Sequence, residues 1–316
     1  MSLSAEDRRI RALRSSRNSV DPWGPLAVIV EKERRPGGDL ESTLTVFLAG
    51  SECPFTCAFC DLWRNTLEGP TPRGALPEQL SRALAQPRSG RLPSRIKLYN
   101  ASNFFDPRAV PPEDLDSLAA LVEPFAAVTV ESHPRLVGSR CREFARTIAG
   151  RLEVAMGLET IHPDALPRLN KKMNLSDFDR AARFLRDLGI GLRTFVLLGA
   201  PFVPSHESIA WAVRSVEHAL AAGASLVAII PARGGNGEME RLAHAGKFVR
   251  PTLGDLEAAL EQSLSLGPGV VVADLWDVER FVECSACGPA RIARLARMNA
   301  TGHAEPPVEC DDCGPA

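Results

Sequence analysis

What this sequence of 316 residues lacks narrows its possibilities quickly. No apolar run approaches the roughly 20 residues a membrane-spanning helix needs, so no membrane association is expected. Neither sign of charge dominates: 37 Lys and Arg against 39 Asp and Glu leave a net charge of −2. The chain as a whole therefore has no polyelectrolyte signature, and any contact with nucleic acid must be local. The N-terminus, Met1-Ser-Leu-Ser-Ala-Glu-Asp-Arg-Arg9, has no apolar signal-peptide core, and a cytoplasmic protein is expected. Pro231-Ala-Arg-Gly-Gly-Asn-Gly-Glu238 is glycine-rich, yet it contains neither phosphate-loop nor dinucleotide-binding spacing, and reads as a mobile loop at a substrate mouth.

Cysteine is present in pattern. Seven of the eight cysteines fall into close-set groups, which fits metal binding in a reducing compartment better than disulfides. The eighth, Cys141, reads as a semi-buried helix thiol. Cys53, Cys57 and Cys60 follow C-x3-C-x2-C inside Ser51-Glu-Cys-Pro-Phe-Thr-Cys-Ala-Phe-Cys-Asp-Leu-Trp63. Zinc sites usually close with a fourth protein ligand, and this loop offers none, so the spacing suits a [4Fe–4S] cluster with one open iron. Cys284-x-x-Cys287 and Cys310-x-x-Cys313 read as a four-thiolate site of zinc-ribbon or knuckle type, with an auxiliary iron–sulfur cluster as the alternative.

Between these groups the pattern repeats. Strands are expected at Thr43–Leu48, Ile96–Tyr99, Val128–Val130, Leu152–Met156, Leu192–Leu198 and Leu226–Ile230, each followed by a helix, with a further strand at Val270–Ala273. Ser176-x-x-Asp179 and Thr252-x-x-Asp255 read as helix-opening capping boxes. Six strand–helix units argue for an α/β protein with a parallel sheet closed or partly closed as a barrel. The site then lies at the carboxyl ends of the strands, where Asn100, Ser102, Glu131 and Glu159 fall. The boundaries expected are a basic extension over 1–41, a barrel over 42–245 and a metal-binding extension over 246–316. The arginines of residues 1 to 25 read as a solvated helix or arm.

The loop Ser51–Trp63 resembles the signature of the radical S-adenosylmethionine (radical SAM) enzymes. That resemblance implies a partial (β/α)6 barrel and a [4Fe–4S] cluster whose open iron is chelated by the methionine moiety of SAM. It also implies a one-electron reductant of flavodoxin or ferredoxin type and a 5′-deoxyadenosyl radical that abstracts a substrate hydrogen. Phe59 stands where the family carries an aromatic near the adenine. The likeness runs from about Leu44 to Leu242. It is closest to the branch of the Elongator catalytic subunit, the methylthiotransferases and the oxygen-independent coproporphyrinogen dehydrogenases, through Thr129-Val-Glu-Ser-His-Pro-Arg135, Gly157-Leu-Glu-Thr160, Leu169-Asn-Lys171 and Leu198-Gly-Ala-Pro201. On that match Glu131 and Glu159 contact the cofactor's polar groups, Lys171 stands where an Arg pairs with the methionine carboxylate, and Asn100 to Asn103 hold the methionine amino group. The chain departs from the pattern in having Asn-Ala-Ser-Asn for paired glycines, Phe195 for a frequent Asp, and Glu159 for a frequent Gln. No catalytic side chain is assigned beyond the cluster.

Lys97–Arg108, the stretch at Asn236 and the C-terminal cysteine pairs are similar, more loosely, to the family of radical SAM subunits of archaeosine synthases, which implies a modified deazaguanine in tRNA as substrate. Arg291, Arg294 and Arg297, and the N-terminal arm, are then candidates to meet tRNA phosphates. A radical SAM enzyme for a small metabolite, and a non-catalytic iron–sulfur or zinc protein that binds nucleic acid, are the alternatives.

Overall fold

The structure, a computed structural model, describes residues 3–88 and 90–313. One eight-stranded sheet organises it, its strands standing in chain order. They are β1 (Ala27–Arg34), β2 (Leu40–Phe47), β3 (Arg95–Tyr99), β4 (Ala127–Glu131), β5 (Arg151–Glu159), β6 (Gly191–Leu198), β7 (Ala224–Pro231) and β8 (Val270–Ala273). β1 and β2 form an antiparallel hairpin, and every pairing from β2 to β8 is parallel. The expected α/β half-barrel is therefore present, with β2–β7 as its six units and β8 continuing the sheet.

The helices follow the connections. α1 (Ala5–Ala12) precedes the sheet; α2 (Ala75–Ala85), α3 (Leu115–Leu121) and α4 (Ser139–Thr147) follow β2, β3 and β4. α5 (Ala165–Arg168) and α6 (Leu175–Asp187) follow β5, α7 (Ser208–Ala221) follows β6, α8 (Glu238–His244) and α9 (Leu253–Ser263) follow β7, and α10 (Gly288–Thr301) follows β8. Cys141 is wholly buried in α4. Thr252 and Asp255 form the expected capping box. The other box is shifted: Asn174 accepts from the Asp177 N–H and Asp177 from the Asn174 N–H, so α6 opens two residues earlier than Ser176 would place it.

Strand alternation sorts the side chains. Leu44, Val46, Ile96, Leu98, Val128, Val130, Val154, Met156, Val196, Val227 and Ile229 face the helices and make the core. The other face turns into the lumen, and its lower layer is ionic. Lys97 Nζ pairs with Glu31 at 2.9 Å and with Glu33; Arg193 grips Glu33 through two bonds of 2.7 and 2.8 Å and reaches Glu153 at 3.3 Å. The Thr129 hydroxyl donates to Glu153 at 2.9 Å. These pairs explain β1, which the sequence conceals: Glu33-Arg-Arg-Pro-Gly-Gly-Asp39 reads as a turn before the first strand, but a strand precedes that turn, and its Glu31 and Glu33 are lumen residues satisfied by β3 and β6.

α10 packs against both edge strands, β1 and β8. The Asn299 amide mimics a strand there, accepting from Ala273 N–H and donating to Ala273 O, each at 2.8 Å, while Arg34 on β1 donates to Asn299 O at 3.3 Å. The seam of the open barrel is thus clasped by the helix that carries the tail, and its exposed edges are covered. This placement corrects the expectation for two arginines of α10. Arg291 and Arg294 are 6% and 3% exposed and share the Glu257 carboxylate, and Arg294 also reaches Glu261 at 2.5 Å. Their charges are spent inside the fold. Arg297 alone of the three is well exposed, and it pairs with Glu305 at 2.8 Å.

Candidate active site at the carboxyl ends of the strands

The cysteine loop leaves β2 and is stitched to three other segments. Ala58 N–H donates to Leu169 O at 2.9 Å, and the Asn170 amide donates to Thr56 O at 2.6 Å. The Asn236 amide reaches Ala58 O at 2.8 Å and Cys60 O at 3.2 Å, and Asn103 donates to Cys53 Sγ at 3.0 Å. The glycine-rich loop of Asn236 is therefore a brace rather than a mobile flap: Asn236 is 3% exposed and its Oδ1 caps Met239 N–H at 2.8 Å. Burial pushes all three thiols upward, Cys60 to about 12 and Cys57 well above the usual range. They hold their protons until a metal displaces them.

The N-terminal segment folds down onto this loop, where the sequence reads as a solvated arm. Ile10 packs in one apolar group with Ala58, Met239, Leu242 and Phe248, beside Phe59. Arg11, Arg14 and Arg17 all pair with Glu52, the residue before Cys53. Arg14 and Arg64 flank the Trp63 ring at 4.8 and 5.5 Å, and Arg9 pairs with the buried Glu238 at 2.5 Å. These arginines are occupied on the molecule itself.

Around the loop stand the other expected residues. Lys171 Nζ meets Glu159 Oε1 at 2.5 Å, both side chains under a tenth exposed, with the ammonium 6.0 Å from the centre of the Phe59 ring. Burial disfavours the Lys171 charge, but Glu159 and the neighbouring thiols outweigh it and the pKa rises. Gly157 makes the pair possible, because a Cβ there would lie 1.9 Å from Glu159 Oε1 and 2.5 Å from Lys171 Nζ. Glu131 faces a different partner from the expected one: Oε1 accepts the Asn100 N–H at 2.7 Å, and Ala101 and Ser102 N–H groups also point at the carboxylate. Burial nevertheless raises it to about 7. Glu131 shapes the loop after β3, and Ala101 takes φ +52 where the resemblance leads one to expect glycine.

The same loop carries unsatisfied groups. Asn100 is wholly buried, and among the described residues neither its amide nitrogen nor its oxygen has a partner; Ser102 Oγ and Thr56 Oγ1 are likewise unpaired. Each such group costs about 1–3 kcal/mol unless a ligand satisfies it. Backbone strain gathers at the same rim: the non-glycine residues with positive φ among those described are Ala101, Glu159, Asn170, Lys172, Phe202 and Asp277, all in or beside loops at the carboxyl ends of strands.

His133 was not foreseen as part of the site. Its ring stacks on Phe55 at 3.8 Å, its Nδ1 accepts from Arg135 N–H at 3.1 Å, and Nε2–H therefore donates to Lys171 O at 2.8 Å. Burial, reinforced by Lys171, lowers it to about 3, so it is neutral. Asn103, His133, Asn170 and Asn236 all lie within stretches that the sequence singles out, but their partners are far away in the chain and no local pattern names them.

The tail brings four sulfurs together. Cys284, Cys287, Cys310 and Cys313 Sγ atoms lie within 4.8 Å of one another, with Cys284–Cys310 at 3.9 Å and Cys287–Cys313 at 3.8 Å. Backbone N–H groups of Cys287 and Ala286 pull the Cys284 thiol down to about 7, favouring the thiolate a metal takes.

No family model matches the chain. Among solved structures, it superposes on methylornithine synthase (PylB) with a TM-score of 0.52 at 16% identity, covering 82% of this chain and 70% of that one. Elp3 of Methanocaldococcus infernus gives a TM-score of 0.50 at 16% identity, over 70% of this chain and 57% of that one. The likeness is one of fold, a curled parallel α/β half-barrel. Distant sequence relatives are found as well. An uncharacterised protein of Methanocaldococcus jannaschii is 21% identical over 56% of this chain and 50% of its own length. Archaeosine synthase subunit beta of Methanosarcina acetivorans is 24% identical over 72% of this chain and 68% of its own length. The match thus spans half the length of the first relative and about two thirds of the second. Judged as the radical SAM site that the cysteine loop resembles, the donor set fits: three partly buried thiols on one loop suit a four-iron cluster, and the unpaired Asn100 and Ser102 with the Lys171–Glu159 pair could hold a zwitterionic ligand beside it.

Proposed function

We propose that the protein is a radical SAM enzyme that modifies a nucleoside of tRNA. The observation that carries the chemistry is the partly buried trio Cys53, Cys57 and Cys60, with Asn103 on Cys53 Sγ and the Lys171–Glu159 pair near Cys57, among the same strand-end loops as the unpaired Asn100 and Ser102. In this reading the thiols hold a [4Fe–4S] cluster, Phe59 lies against the adenine, and Lys171 meets the methionine carboxylate while Asn100 and Ser102 receive its polar groups. Glu131 acts one step back, fixing the backbone of residues 100–102. When bound and reduced by a flavodoxin- or ferredoxin-type protein, cluster and SAM supply a 5′-deoxyadenosyl radical. The chain's own residues seat the cofactor, exclude water and choose the hydrogen removed.

The tRNA substrate is supported by the likeness to archaeosine synthase subunit beta. The tail is read as a structural zinc site, because an ion with Zn–S bonds of about 2.3 Å sets its four sulfurs about 3.8 Å apart, as Cys284–Cys310 and Cys287–Cys313 are here. A larger cluster would spread them. Comparing tRNA nucleosides by mass spectrometry from cells with and without the gene tests the substrate: one modified nucleoside disappears and its precursor accumulates. Unchanged tRNA together with an altered small metabolite would favour the small-molecule alternative.

A further inference from the structure

Aromatic residues are few, 6% of the chain with a single tyrosine, yet they converge above the ionic layer of the lumen. Register sets Phe47 beside Tyr99, and their rings meet edge to face at 6.1 Å. Trp276, in the loop after β8, continues the line 6.0 Å from Phe47. Along β5 to β8, register sets Phe195 between Gly157 and Ala228, with Val272 next, so one further ring rises between small neighbours on the other strands of the curled sheet.

Trp276 is 56% exposed, but it is not loose. Its N–H donates to Asp274 Oδ1 at 3.2 Å, its carbonyl accepts from Arg233, and Arg233 pairs with Asp274 at 2.9 Å. The next residue, Asp277, is held at φ +53, a conformation that costs a non-glycine residue energy. Arg233 and Asp274 thus fix the backbone of Trp276, and its ring, resting on Phe47, stands more than half exposed at the mouth of the site. An anchored backbone that presents a large aromatic ring to solvent lowers the ordering cost of stacking a flat ligand there.

We infer that Trp276, with Phe47 and Tyr99 behind it, is the stacking platform that receives the base of the nucleoside substrate at the mouth of the lumen. The inference rests on the tRNA reading above and adds the residues that select for a flat ring. Stacking is indifferent to phosphate charge, so its loss lowers affinity without changing the number of counterions released.

The test measures binding of the full-length protein, with its metals, to tRNA isolated from cells lacking the gene, across a series of salt concentrations. Trp276→Ala should weaken binding by about fivefold or more at every salt concentration, with the slope of log affinity against log salt unchanged. Trp276→Phe should recover most of the loss, and the unaltered chain should show quenching of tryptophan fluorescence that Trp276→Phe diminishes. Equal affinity for Trp276→Ala and the unaltered chain overturns the platform while leaving the tRNA reading intact. If the unaltered chain fails to bind that tRNA, the tRNA reading falls and this inference with it.

Discussion

At the scale of single residues, two small ones govern the site. Gly157 is required by its neighbours: Gly157→Ala drives a methyl into the Glu159–Lys171 pair and should lower stability by about 1–3 kcal/mol in denaturant unfolding. Ala101 is the converse case, an alanine held at φ +52. Ala101→Gly should relieve strain of about 1 kcal/mol and raise the unfolding midpoint, whereas a larger or β-branched residue should lower it. Lys171→Ala should weaken SAM binding, measured by calorimetry, while the visible absorbance of the iron–sulfur cluster stays. The three cysteines stand out by their spacing, and Glu159 and Lys171 by motifs that resemble a family's, because both signals are local in the chain. His133 and Asn236 escaped it because their work is done on Lys171 O, Ala58 O and Cys60 O, distant carbonyls that no motif encodes.

At the scale of elements, the two ends of the chain differ most from a plain reading of their charges. Arg9, Arg11, Arg14 and Arg17 look like a solvated face but pair with Glu238 and Glu52, and Arg291 and Arg294 of α10 pair with Glu257. Charge runs report composition, and only packing decides which partner they meet. Burial opposes ionisation of Asp7 and Glu238, but hydrogen bonds from Ser4 and Asn170 to the first, and from Arg241 and Arg9 to the second, hold both below the usual carboxylate range. Carboxylates depressed in the folded state stabilise it above their unfolded pKa, and that contribution fades as pH falls toward the depressed values. Amide exchange in residues 5–18 should accordingly stay slow at neutral pH and accelerate below about pH 4 before the barrel itself opens. Glu257→Ala takes the carboxylate partner from buried Arg291, while Arg294 keeps Glu261, and should cost about 3 kcal/mol or more, read from denaturant unfolding.

For the molecule as a whole, periodicity predicted the barrel well, since β2–β7 each pair an apolar core face with a turn and a helix. β1 was hidden because its inward residues are charged and satisfied only across the lumen, by Lys97 and Arg193. The result is a half-barrel with an ionic lower layer, an aromatic mouth, a cysteine loop strapped down by the N-terminus, and a seam clasped by the metal-binding tail. That arrangement separates the two cysteine groups proposed to hold metal. The central claim concerns the first of them, and 5′-deoxyadenosine formation tests it most directly. Purified protein with reconstituted iron–sulfur content, given SAM and a strong one-electron reductant, should release 5′-deoxyadenosine and methionine. Cys57→Ala should release neither and lose its iron while keeping one zinc per chain. A cluster-loaded protein that yields no 5′-deoxyadenosine, or a Cys57→Ala protein that still yields it, would contradict the account.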